Sequence, residues 1–262
     1  IALWDIAGRQ VGKSVAELLG GVKKKKFTAY VSGLPKKSLE ARGKLAKAWQ
    51  KKGFNSFKFA APVAEFGLVE EISHLRTVLG PTAKISADMH WNHSADNAIE
   101  LIQAMEKYDL WFAEAPVRTE DISGLGKVAK NVTVPIAVGE EWRTHFDMLH
   151  RVERCKIAIV QPEMGHKGIT NFVRIGELAT ELGLDIIPHA TIGAGIFLAA
   201  SLQASSCMQA LSGHEFQHSV FEPNRWILDG NMDCAAGFYT PPSGPGLGVE
   251  PSAEALEMLK KL

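Results

Sequence analysis

The sequence has no surplus of charge, almost no cysteine and no long apolar run, and each lack removes a class of function. Its 262 residues hold 29 basic and 29 acidic side chains. A nucleic-acid protein normally carries a basic excess, so no nucleic-acid partner is expected. Three cysteines, Cys155, Cys207 and Cys234, are odd in number and widely spaced. They make neither a disulfide framework nor a zinc cluster, and they fit a reducing, cytoplasmic setting. No apolar run reaches the roughly eighteen residues of a membrane span. The opening Ile1-Ala2-Leu3-Trp4-Asp5 lacks the basic region of a signal peptide. No linker-like low-complexity segment divides the chain.

What is present is a repeat. Short apolar runs recur at 27–31, 56–59, 84–87, 110–113, 134–138, 156–160 and 184–187. They are β-branched or aromatic and read as strands buried on both faces. Between them lie helical patterns, among them 36–51, 69–79, 94–107 and 170–182, with Ser94 or Asp96 as a cap for the third and Gly183 for the end of the last. At least six βα units in series give a parallel sheet. The expected fold is therefore α/β, and the regular repeat favours a closed TIM barrel of the (β/α)8 type, which takes roughly 250 residues. Residues 1–26 read as a linking helical segment and 27–262 as the barrel with a C-terminal extension. The Lys23–Lys26 run reads as a solvated loop entering the first strand.

Chemistry gathers just after the apolar runs. In order come Lys58, then Asp88 and His90, Glu114, Glu140, Gln161-Pro162-Glu163 and His189. Asp88 to Glu114 and Glu114 to Glu140 are both 26 residues, Glu140 to Glu163 is 23, and Glu163 to His189 is 26. A parallel barrel turns all its strand C-termini to one rim, where these side chains would converge. Three carboxylates sharing one cavity repel and raise one another's pKa, a conflict that a divalent cation removes. Oxygen-only ligation suits Mg²⁺. A carboxylate pair for glycoside hydrolysis is the alternative, and three acids with two histidines and a lysine fit a metal site better. Tyr30 and Ser32 close the first strand as candidate substrate contacts, and Trp91 and Trp142 are candidate pocket walls. His74 and His150 sit in helical patterns as packing or surface residues, whereas His145 and His166 fall in rim loops.

A set of motifs then resembles a known family. These are Leu3 to Gly8, Leu18 to Gly21, Gly53-Phe54 before Lys58, Asp88, Glu114-Ala115-Pro116, Gly139-Glu140, Gln161-Pro162 and Gly168-Ile169-Thr170. Together they resemble the enolase superfamily in its mandelate racemase and muconate lactonizing enzyme branch, from residue 1 to about Gly248. The resemblance implies a modified (β/α)7β barrel, with Asp88, Glu114 and Glu140 as ligands of Mg²⁺. It implies removal of the proton α to a carboxylate, the cation holding the enediolate. It also implies an N-terminal α+β capping domain that this chain lacks, residue 1 lying where cap joins barrel, and assembly into a homo-oligomer.

Departures from the family pattern narrow the expected reaction. Many members carry Lys-x-Lys at the second strand end, but here the sequence is Lys58-Phe59-Ala60. That argues against a racemase that uses the second lysine as a base. Lys58 keeps an electrostatic role beside the substrate carboxylate. His90, two residues past Asp88, would share its side of the strand if the strand continues that far. A His there is similar to galactonate dehydratase-like acid sugar dehydratases, in which it protonates the departing 3-hydroxyl. His189 would be the base, oriented by Glu163, where the family usually has Asp. Glu215 matches the eighth-strand acid that assists the carboxylate, protonated or hydrogen-bonded. The expected activity is dehydration of an aldonate or aldarate to a 2-keto-3-deoxy sugar acid. A racemase, epimerase or cycloisomerase on the same scaffold is the first alternative, and a non-catalytic barrel or inactive fragment the second.

Overall fold

The computed structural model describes residues 1–190 and 195–261. Helices α1 (Ala2–Gln10) and α2 (Val15–Leu18) precede strand β1 (Phe27–Gly33). Then follow α3 (Leu39–Lys51), β2 (Ser56–Ala60), α4 (Leu68–Leu79), β3 (Lys84–Asp88), α5 (Ala95–Glu106), β4 (Leu110–Glu114) and α6 (Ile122–Asn131). The repeat continues with β5 (Ile136–Val138), α7 (His145–Val152), β6 (Ile159–Val160), α8 (Met164–Glu181), β7 (Asp185–Ile186), α9 (Ile196–Ser205), β8 (His214–Phe216) and the short α10 (His218–Asn224).

Strands β1 to β7 pair in sequence order, all parallel, and β8 returns to pair with β1. The last seam, between β7 and the stretch leading into β8, is sparse. It consists of the bridge Ile186–Leu211, the bonds Ile186 N–H to Ala210 O and Ser212 N–H to Ile186 O, and Glu215 N–H to Pro188 O at 3.2 Å. The architecture is that of a TIM barrel. The sequence pattern did not foresee the C-terminal extension's own strands. There β9 (Leu228–Gly230) pairs with β12 (Val249–Pro251), and β10 (Asp233–Ala235) pairs with β11 (Phe238–Thr240), which adds antiparallel to β1. A last helix, α11 (Ala253–Leu259), follows.

Strand periodicity of two sorts the side chains. On β2, Phe57 and Phe59 face the helices while Lys58 faces inward; on β4, Ala113 faces out while Phe112 and Glu114 face in. Tyr30, Phe112, Ala137, Ile159 and Ile187 form a small apolar cluster of their own inside the barrel. This plug fills the lower interior, and the charged residues stand above it. Replacing Phe112 by Ala would cost about 3–5 kcal/mol, the usual figure for an emptied aromatic site.

Three expected strands come out shorter than their apolar runs, β7 keeping only Asp185–Ile186 of 184–187. Pro135 has no N–H to give to a ladder, so β5 starts at Ile136 rather than Val134. On β6 the segment from Cys155 turns locally, Ile157 N–H bonding to Cys155 O, before the ladder begins at Ile159. Helix α5 is capped by Ser94, whose hydroxyl accepts from Asn97 N–H, an arrangement worth about 1 kcal/mol. Gly183 follows α8 with φ +68°, the left-handed turn that the C-cap reading required. Among the described residues no helix is long and apolar enough to cross a membrane.

Candidate active site

Register alone brings the polar residues level. Asp88 stands opposite Glu114, Ser32 opposite Lys58, Tyr30 opposite Glu215, and Glu163 opposite His189. Two side-chain groups result, sharing Glu215.

The first centres on Lys58, which is 2 % exposed. Its Nζ lies 2.6 Å from Glu114 Oε1 and 3.2 Å from Glu215 Oε1, and 5.5 Å above the Tyr30 ring. Glu114 Oε2 accepts a second bond, from Gln161 Nε2 at 2.6 Å. Burial raises the Glu114 carboxyl first; Lys58 lowers it, and Asp88, Glu215 and Glu140 raise it again, to about 7.

The second group is a histidine between acids. His189 Nδ1 lies 2.7 Å from Glu163 Oε2; its Nε2 lies 3.1 Å from Glu140 Oε2 and 3.7 Å from Glu215 Oε2. Burial would lower this imidazole, but Glu215, the hydrogen bond with Glu163 and Glu140 outweigh it and lift it to about 10. Glu163 also caps α8 by accepting Gly165 N–H at 3.0 Å, which fixes its carboxylate in place. Glu215 itself is held ionised. Burial would raise it, yet Lys58, His189, Ser32 and the Ala190 N–H at 2.9 Å bring it down to about 2. Of the two forms expected for Glu215, this is the hydrogen-bonded one.

His90 departs from expectation. Strand β3 ends at Asp88, so the two-residue alternation does not extend to His90. Instead His90 and Trp91 adopt φ +57° and +58°, a left-handed turn held by Trp91 N–H to Ala115 O at 2.8 Å. The His90 N–H donates to Asp88 Oδ1 at 2.9 Å, and its ring, half exposed, lies 3.9 Å from Asp88 Oδ2. The neighbouring Asp88 carboxylate raises the imidazole above its ordinary value. Ala115, just past Glu114, is also left-handed at φ +48°, and Gly139, just before Glu140, has φ +132°. A side chain on Gly139 would press on the Gln161 N–H and the Trp142 ring. Backbone strain thus collects just past Asp88 and Glu114, and a glycine provides the turn before Glu140.

The remaining candidates are placed as follows. Tyr30 is buried beneath Lys58, and its hydroxyl has no hydrogen-bond partner among the described residues. Ser32 is buried beside Glu215. Trp91 packs against His90 with ring centroids 5.1 Å apart and the rings tilted by 40°, and lines a surface cleft with His93, Ser94, Arg118 and Asp121. Trp142, expected as a pocket wall, is instead core, 1 % exposed behind Gly139. His166 bonds through Nδ1 to Glu140 O at 3.0 Å. Two polar residues went unassigned from sequence. Gln161 is one, and Lys167 the other, whose Nζ reaches Gly139 O at 3.3 Å and is lowered by burial to about 8. The Gln161-Pro162 motif after the sixth apolar run was the sequence signal for the first, and Lys167, inside α8, carried none.

Five carboxylates, Asp88, Glu114, Glu140, Glu163 and Glu215, thus face two cationic side chains, Lys58 and His189. Among the described residues no three acids, histidines or cysteines stand in metal-binding geometry; Glu114 bonds Lys58, and Glu140 faces His189. The donor chemistry nevertheless fits Mg²⁺. It is oxygen-only, hard and short of positive charge, and the crowding that raises Glu114 is what a divalent cation relieves.

Comparison with known proteins identifies the family of the chain. Residues 40–255 match the family described as Enolase C-terminal domain-like. Over 268 residues the chain is 31% identical to a D-galactonate dehydratase of Ralstonia pickettii, covering 95% of this chain and 69% of that protein. It is 28% identical to a D-galactarolactone cycloisomerase of Agrobacterium fabrum, over 98% of this chain and 71% of that one. A solved member of the enolase superfamily from Agrobacterium tumefaciens superposes with a TM-score of 0.96 at 69% identity, covering 98% of this chain and 66% of that chain. A Sinorhizobium meliloti protein provisionally named an isomerase gives 0.96 at 60% identity, covering 98% and 69%. The chain spans about two-thirds of the length of these relatives. With this match over most of its length, and with its acids at successive barrel strand ends, the chain belongs to the enolase superfamily, in the Enolase C-terminal domain-like family.

Proposed function

We propose that this chain is the barrel of a Mg²⁺-dependent dehydratase acting on an acid sugar, an aldonate or aldarate. The observation that carries the reading is the Glu163–His189 pair opening onto Glu140 and Glu215 inside an acid-rich mouth. Asp88, Glu114 and Glu140 would hold the cation, which supplies positive charge beside the substrate carboxylate.

The chain's own residues do the rest. Glu163 accepts the Nδ1 proton and fixes the His189 tautomer, so that Nε2 faces the substrate. With Glu140 turned to a cation, the imidazole loses one of the carboxylates that keep it charged and can act as a base. His189 then takes the proton from C2. Lys58 stabilises the negative charge that develops on the carboxylate, and Glu215 holds Lys58 and the Ala190 backbone in place. His90 donates a proton to the 3-hydroxyl, which leaves as water. The enol so formed tautomerises to a 2-keto-3-deoxy sugar acid. The dehydratase relatives support this reaction. Three buried thiols fit a cytoplasmic setting, and a homo-oligomer is part of the same reading.

A second reading has its own support. The His90 ring is half exposed on a turn outside β3, and two relatives are named a cycloisomerase and an isomerase. In that case His189 removes the proton, and no hydroxyl is lost.

One experiment separates the two. The protein is incubated with Mg²⁺ and a panel of aldonates and aldarates in D₂O, assaying 2-keto acid and deuterium at C2. Keto acid that falls by about 10²–10⁴ in His189→Asn supports dehydration. Deuterium at C2 without keto acid favours the isomerase reading. Keto acid formed at an undiminished rate by His189→Asn rules out the assigned base.

A further inference from the structure

Gln161 is an uncharged side chain in a charged site. It is 1 % exposed and follows β6, yet its Nε2 reaches Glu114 on β4, two strands away. The intervening strand offers only a methyl group there, since Ala137 stands opposite both Glu114 and Ile159. Glu114 therefore receives one donor on each oxygen, Lys58 on Oε1 and Gln161 on Oε2, both at 2.6 Å. Two bonds from opposite sides of the mouth fix the plane of the carboxylate. Each oxygen of a carboxylate has two acceptor positions, so one on each stays available after these bonds are made.

We propose that Gln161 is a positioning residue that sets the Glu114 carboxylate for a divalent cation shared with Asp88 and Glu140. This deepens the proposed function and rests on its metal site. The residue type follows from charge. A lysine or arginine at 161 would neutralise the negative charge that the cation needs, and a carboxylate would add repulsion to an already crowded group. An amide supplies a donor and changes no charge. The side chain acts through Glu114 and touches neither substrate nor reacting atoms. Partners of this kind usually contribute about tenfold to a hundredfold in metal affinity.

The test is calorimetric titration with Mg²⁺ alone, repeated with Mn²⁺, on the chain and on two variants. Gln161→Leu removes the donor at similar volume. Gln161→Asn keeps the amide, shortens its reach by one methylene, and covers the case in which the leucine variant does not fold. Both are expected to bind about tenfold to a hundredfold more weakly than the unaltered chain. A merely structural role would lower the metal-free melting temperature and leave affinity unchanged. Equal affinity in the unaltered chain and the folded variants overturns the positioning role alone. No uptake by the unaltered chain overturns the metal site itself, and this inference with it.

Discussion

Two buried ion pairs in this molecule look alike and behave differently. Between α3 and α4, Arg42 and Glu71 are 0 % and 1 % exposed; Arg42 Nε and Nη2 meet the two Glu71 oxygens at 2.7 and 2.5 Å, and Nη1 donates to Lys36 O. At the barrel mouth, Lys58 and Glu114 are as deeply buried, at 2.6 Å. The first pair balances one charge against one, and each guanidinium nitrogen has an acceptor. The second belongs to a cluster in which acids outnumber cations, and Glu114 is raised to about 7 despite its lysine. Burial by itself therefore says little about purpose; local charge balance tells scaffold from site.

The sharpest way to break this comparison is to remove the arginine. Arg42→Met strands the Glu71 carboxylate between two helices, and denaturant unfolding is expected to show a loss of about 3–5 kcal/mol. A loss below 1 kcal/mol would mean that the pair is no more than a neutral substitute for apolar packing. The same contrast can be drawn between histidines. His214 is fully buried but keeps company with neutral groups, the Ser201 hydroxyl at 2.9 Å and the Glu215 carbonyl at 3.1 Å. Burial, ahead of any charge nearby, lowers it to about 4. Its pKa in the unfolded chain is about 6.5, so stability is complete above that value and falls as pH drops toward 4. The loss is about 3 kcal/mol, and His214→Gln, which keeps both bonds, should flatten that part of the pH–stability curve. An unchanged curve would place the acid sensitivity elsewhere.

The smallest effect is the most telling. Glu114→Gln removes an anion from the crowded cluster, while Lys58 keeps Glu215 at 3.2 Å. Metal-free stability is expected to hold or to rise by about 1 kcal/mol, and the increase in melting temperature on adding Mg²⁺ to vanish. In the unaltered chain that increase should correspond to about 2.7 kcal/mol at a hundred times the dissociation constant. A marked loss of metal-free stability in Glu114→Gln would show that the mouth is built like the Arg42–Glu71 pair after all.

Much of the barrel was legible because it is periodic. Lys58, Asp88, Glu114, Glu140, Glu163 and His189 each follow an apolar run at nearly constant spacing, and parallel pairing turns them to one rim, with Asp88 level with Glu114 and Glu163 with His189. What was not legible depends on bonds across strands. The left-handed turn at His90 is closed by Trp91 bonding to Ala115, a contact no local pattern announces. Gln161 shows in the sequence as part of a Gln-Pro motif, but its partner, Glu114 two strands away, does not. Trp142 looks like a pocket wall by position, yet Gly139 lets it sink into the core. The antiparallel β10–β11 hairpin escaped for a related reason, since its strands are three residues long and carry no alternation to read.

The apolar plug of Tyr30, Phe112, Ala137, Ile159 and Ile187 has one more consequence. Among the described residues it packs the interior below Lys58 and Glu114 with apolar side chains, which leaves the strand C-termini as the polar end of the barrel. Whatever occupies that end governs the proton traffic of the whole cluster, and a bound molecule would seal its charge states until it departs.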